Sequence, residues 1–214
     1  MDMESGHVIW ERHSPDRLAI VFAYIDLPVG IPAHHNFLAG SDCSRLYLNP
    51  GRNDWYQNGI PTFSDSFDAT VTAISTAAST YKEIVCVGHS MGAYAAISFG
   101  LSIKAARVLA FGPEIVLRKP GSYSHHYLKD GDVKRGDIRD LLAANTTTSI
   151  NVVAGRQEAV DMAAAAEILT FPLTHVYPVN SSHATTLHLR DTGQLTPLLH
   201  CFIRGDDLTS VLDS

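Results

Sequence analysis

Between Glu83 and Ser102 an apolar run, Ile84-Val85-Cys86-Val87, passes through Gly88-His89-Ser90-Met91-Gly92 straight into an Ala-rich stretch, with no loop between them. That junction reads as a buried strand joined directly to a helix. A turn this tight forces its central residue into a strained backbone conformation and leaves no room for side chains on its flanks, so glycines belong there. It presents the Ser90 hydroxyl at the carboxyl edge of a sheet, beside a helix N-terminus whose backbone N–H groups can stabilise a developing oxyanion. The Met91 amide is one such donor. The plainer reading of the same residues is a glycine-rich turn whose serine caps the helix.

The rest of the chain supplies the setting. Residues 7–11 and 18–24 read as strands separated by the turn sequence Ser14-Pro15-Asp16-Arg17, and the second is continuously apolar, as a strand covered on both faces should be. A short strand is expected near Arg45 to Leu48. A helix follows over 64–81, capped by Ser64 or Asp65, with Phe67, Val71, Ile74 and Ala78 at helical spacing. Strands at 107–111, 149–154 and 173–179 then alternate with helices at 138–144, 161–169 and 192–203, the last requiring Pro197 in its first turn. This alternation predicts a single α/β domain over residues 1–214, with a mostly parallel sheet and helices on both faces.

A histidine a few residues past the last strand would sit on a loop at the carboxyl edge, facing Ser90. His183 holds that position and is the expected base. His188 falls where a helix begins, and His175 lies near a strand start, at the wrong edge. The acid that orients the imidazole should follow the strand at 149–154. Glu158 has the usual spacing from the strand-ending Gly155. Asp161 is the second candidate, with an N-cap role as its alternative, and Glu114 after the preceding strand is the third.

On these residues the chain resembles the α/β-hydrolase superfamily from Leu18 to Cys201, and Gly88-His89-Ser90-Met91-Gly92-Ala93-Tyr94-Ala95-Ala96 is similar to the elbow of its bacterial esterase-like members. The resemblance implies Ser90 as nucleophile, His183 as histidine and Glu158 or Asp161 as acid. It puts a second oxyanion donor at the Tyr24 or Ile25 amide. Two departures stand out: Ala23-Tyr24 replaces the common His-Gly pair, and Ser182 stands where a glycine usually precedes the histidine.

Residues 112–137 lie where this fold inserts a short cap or lid. Arg118, Lys119, Lys129, Lys134 and Arg135, with Tyr123, His125, His126 and Tyr127, read either as a solvated loop or as a cationic rim for anionic substrates. The loop at 26–36, with Trp55 and Tyr56, is a candidate pocket wall. His34-His35 and His125-His126 fall in no recognised ligand spacing, so neither a metal nor another cofactor is expected.

Of 214 residues 18% are charged, with a net charge of −6 and no basic stripe, which argues against nucleic acid as a partner. Three cysteines without a CxxC pair suit a reducing compartment, and no signal-like or bilayer-spanning run is seen, so a cytoplasmic location is expected. Two functional classes follow. One is a serine hydrolase cleaving a small-molecule acyl ester or thioester through Ser90 and His183; the other is a non-catalytic binding or interaction protein on the same scaffold.

Overall fold

The computed structural model describes residues 2–129 and 131–212. Its strands are β1 (Asp2–Ser5), β2 (Val8–Glu11), β3 (Arg17–Phe22), β4 (Ser44–Leu48), β5 (Glu83–His89), β6 (Arg107–Phe111), β7 (Ser149–Gly155) and β8 (Thr174–Val179). Its helices are α1 (His35–Leu38), α2 (Phe67–Ala78), α3 (Met91–Ser102), α4 (Tyr123–Tyr127), α5 (Arg139–Ala143), α6 (Ala159–Ile168), α7 (Thr185–Asp191), α8 (Leu195–Arg204) and α9 (Thr209–Leu212). The strands form one sheet in the order β1-β2-β4-β3-β5-β6-β7-β8. β1 and β2 join antiparallel at one edge, and every pairing from β4 to β8 is parallel.

Side chains alternate between the two faces along each parallel strand. Ile20, Phe22, Cys86, Val108 and Val152 pack with α2, α3, α5 and α6 on one side. Ala19, Val21, Val85, Val87, Leu109 and Val153 pack with α1, α7 and α8 on the other. Covering both faces is why these strands are apolar throughout. Pro197 falls in the first turn of α8, where its missing N–H has no intrahelical acceptor to lose.

Two expectations are displaced. The helix predicted over 64–81 is α2, capped by the Ser66 hydroxyl on the Ala69 amide; Ser64 instead pairs with Ile60 in an isolated bridge. Trp55 and Tyr56 are fully buried rather than lining a pocket, and the Tyr56 hydroxyl donates to the carbonyls of Ala23 and Leu48. Among the described residues no helix is long and apolar enough to cross a membrane.

The topology also locates a site. From β3 the chain crosses to β4 on one side; from β5 it crosses to β6 on the other. The loops leaving the carboxyl ends of β3 and β5 therefore diverge and open a crevice between them, the usual ligand position in a parallel sheet.

Candidate active site

Ser90 sits at that crevice, between β5 and α3, with φ 53° and ψ −117°. This conformation is ordinarily left to glycine. Packing enforces it. A β-carbon on Gly88 would fall 2.0 Å from the Gly92 carbonyl oxygen, and one on Gly92 would fall 2.5 Å from that of Phe22. The Ser90 amide donates to the Phe111 carbonyl at 2.8 Å, tying the turn to the end of β6.

His183 lies between β8 and α7. Its Nε2 is 2.9 Å from Ser90 Oγ, and its Nδ1 is 2.8 Å from Asp161 Oδ1. A carboxylate only accepts, so Nδ1–H donates to Asp161 and leaves Nε2 free to accept from the serine hydroxyl. The three groups are buried, with Ser90 4%, His183 9% and Asp161 2% exposed. Where a glycine was expected before the histidine, the close approach is met from the other side. The Ser182 carbonyl oxygen lies 2.1 Å from where a β-carbon on Gly155 would stand.

Glu158, favoured by spacing, is not in this line. It is the N-cap of α6 and its carboxylate accepts from the Val160 amide at 3.4 Å. Asp161, in the first turn of α6, has the place instead; the helix begins earlier than the sequence suggests, so the cap and the inward-facing carboxylate exchange positions. Glu114 is buried but committed elsewhere, to the Ser124 amide and hydroxyl. His188 lies within α7 and His175 in β8, near its amino end.

Met91 is the first residue of α3, so its amide has no intrahelical acceptor. Tyr24 follows β3 across the crevice. Met91 and Tyr24 line one cleft of about 250 Å³ with Asp26, Asn49, Arg52 and Asn53. On the other side of Tyr24 lies a cleft of about 290 Å³, lined by His34, Phe37, His89 and Leu187 among others.

Histidine–aromatic packing surrounds the site. His89 Nε2–H donates to the His183 carbonyl at 3.0 Å, and its ring lies 5.2 Å from that of His183. Burial, aided by His183, lowers the His89 pKa to about 4; burial, aided by His89, lowers that of His34 to about 3. Both are therefore neutral near pH 7. The sequence reading missed His89, Gly112 and Gly155 as site-shaping residues. His89 immediately precedes Ser90, so proximity to the elbow was the signal available for it; Gly112, just after β6, carried none.

Two of the cations of residues 112–137 have partners of their own. Lys119 pairs with Glu167 at 2.7 Å, while Arg135 lies 3.7 Å from Asp68 and over the Phe67 ring. Among the described residues no group of three or more His, Cys, Asp or Glu side chains is placed to hold a metal ion.

No family model and no curated protein matches the sequence. Solved structures do match over nearly the whole chain. The capsule O-acetyltransferase of Neisseria meningitidis serogroup A superposes with a TM-score of 0.68 at 14% identity, covering 94% of this chain and 93% of that one. Est1E from Butyrivibrio proteoclasticus gives 0.63 at 12%, covering 92% and 93%, and the Pyrococcus furiosus esterase PF2001 gives 0.62 at 15%, covering 92% and 84%. The fold is that of the α/β hydrolases. It is shared with esterases and with an acyltransferase.

Proposed function

We propose that the protein is a serine hydrolase that cleaves a small-molecule carboxylic ester or thioester through an acyl-enzyme on Ser90. The observation that carries this reading is the unbroken hydrogen-bonded line from Asp161 through His183 to the strained Ser90. A binding protein has no need of such a line, nor of the backbone strain that presents the hydroxyl.

In the first half-reaction Ser90 Oγ bonds to the substrate carbonyl carbon while its proton passes to His183 Nε2. Asp161 holds the imidazole in the accepting tautomer and stabilises the imidazolium. The Met91 and Tyr24 amides donate to the tetrahedral oxyanion. Collapse breaks the bond to the leaving oxygen or sulfur, which takes the proton from His183. Water then attacks the acyl carbon, gives a proton to His183, and the second collapse returns it to Ser90 Oγ and frees the acid.

A fluorophosphonate probe tests the reading. Labelling of the wild-type protein that disappears in Ser90→Ala, together with p-nitrophenyl acetate turnover lost in His183→Ala, is the expected result. A folded wild-type protein that takes no label favours the binding role. A series of oxygen and thiol esters of graded acyl length then assigns the substrate class.

Likeness in fold to an O-acetyltransferase favours a second reading, transfer of the acyl group to an alcohol. Added alcohols would divert the acyl group from water: ester product exceeding free acid at millimolar alcohol supports transfer, and acid alone supports hydrolysis.

A further inference from the structure

Tyr123 is the first residue of α4, in the segment between β6 and α5, and its ring stacks on the His183 imidazole. The ring centroids are 4.1 Å apart and the planes 23° from parallel. The contact is anchored. Ser122 caps α4 by accepting from the His125 amide, and the buried Glu114 carboxylate accepts from both the amide and the hydroxyl of Ser124. Ser124 Oγ in turn accepts from the Arg118 amide at 2.6 Å. A carboxylate is costly to bury unless its oxygens are hydrogen-bonded, so Glu114 fixes Ser124, the residue after Tyr123, and the Ser122 hydroxyl lies 3.1 Å from that of Ser124. The bridge between Val116 and Asp137 closes the base of the segment.

Each side of the imidazole is thereby occupied. Asp161 meets Nδ1, Ser90 meets Nε2, His89 packs at 5.2 Å, and Tyr123 covers a face; Glu158 and Glu114 lie close enough to Tyr123 to act on its hydroxyl. His89 is neutral at pH 7 and adds no charge. When His183 takes the serine proton, a cation forms beneath the electron-rich face of a phenol ring in a largely dry site, the arrangement in which a cation–π contact is strongest. The neutral ground state gains much less from it, so the contact acts on the transition state.

We infer that Tyr123 is a positioning residue for His183, holding the imidazole plane on the line between Asp161 and Ser90 and stabilising the imidazolium formed during acyl transfer. The inference rests on the proposal that His183 is the base. It extends that proposal to the segment between β6 and α5, whose specific contribution is an aromatic face.

The test begins with the full-length wild-type protein and the fluorophosphonate probe; absence of label there overturns the hydrolase reading itself, whatever Tyr123 does. With label present, Tyr123→Phe keeps kcat within about twofold, because the ring remains. Tyr123→Leu lowers kcat roughly tenfold with little change in KM, the scale of a desolvated cation–π contact. In Tyr123→Leu the acid limb of the kcat/KM profile moves to lower pH, because the imidazolium has lost a stabilising partner. A ring that only kept water away would move that limb to higher pH on removal, and that result overturns the inference. So does full kcat in Tyr123→Leu, or a Phe variant as impaired as the Leu variant. Should Tyr123→Leu fail to fold, pentafluorophenylalanine at position 123 preserves shape while reversing the ring's charge distribution. A tenfold loss relative to Tyr123→Phe supports the assignment, and unchanged kcat overturns it.

Discussion

Gly112 lies against the His183 imidazole so closely that a β-carbon on it would fall 2.9 Å from both Nδ1 and Cε1, and 3.0 Å from Asp161 Oδ2. Its φ of +55° adds a second reason for glycine. Gly112→Ala therefore meets strain of about 1–2 kcal/mol in the backbone and must also displace the His183–Asp161 pair. We expect at least a tenfold fall in kcat for p-nitrophenyl acetate. Gly193→Ala is the control: its φ is +75° but nothing beyond its chain neighbours lies within 4 Å of its would-be β-carbon, so it should lose melting temperature alone. Equal kcat in the two variants would refute the assigned contact.

Asp161 and Glu158 separate cleanly on substitution. Asp161→Asn keeps the shape but allows the amide to donate toward His183 Nδ1, which favours the wrong tautomer; kcat should fall by about 10³–10⁴. Glu158→Gln removes only a weak 3.4 Å cap and should leave kcat within about twofold. Steady-state kinetics on both, beside their melting curves, decides the matter, and the reverse ranking would return the acid to Glu158.

That pair also marks where the sequence stops being informative. The apolar runs of β3, β5, β6 and β7 and the glycine-flanked Ser90 announce a parallel sheet with a strained elbow, because local packing demands those residue types. Choosing Asp161 over Glu158 depends on where α6 begins, a shift of two residues that helical spacing does not resolve. The short helices α1 and α9 have too few turns to show a period. Tyr123 and Gly112 were hidden for a different reason: their importance comes from His183, remote in sequence, and no local pattern encodes that contact.

Strain at Ser90 predicts a trade between activity and stability. Its φ of 53° with ψ −117° costs of order 1–3 kcal/mol for a residue with a side chain and almost nothing for glycine. Against this, glycine gives up about 0.5–1 kcal/mol through the entropy of the unfolded chain, and the hydrogen bond to His183 is lost. Ser90→Gly should thus stay within about 1 kcal/mol of wild-type stability, or ~2–4 °C in Tm, while taking no fluorophosphonate label. Ser90→Ala keeps the strain and should melt below Ser90→Gly. A Gly variant less stable than the Ala variant would mean that the elbow holds no such strain.

The two neutral histidines beside the site set an acid limit on the fold. The pKa values of His89, about 4, and His34, about 3, are depressed by burial from an ordinary value of 6.5. Between 6.5 and those values the unfolded chain binds protons that the folded chain refuses, so stability is complete above pH 6.5 and drains away as pH falls toward 4 and then 3. Ion-paired carboxylates such as Glu83, also lowered, contribute only further down, beginning near 4.5. Denaturant titrations at pH 7, 5.5 and 4.5 should therefore show losses of about 1 kcal/mol per histidine by pH 5.5 and roughly twice that by pH 4.5, before most carboxylates titrate. His89→Gln preserves a donor for the His183 carbonyl without a titrating ring, and His34→Asn suits the positive φ of 57° at that position. Combined, they should flatten the profile between pH 6.5 and 4.5. A double variant that keeps the wild-type slope would place the acid sensitivity in some other group.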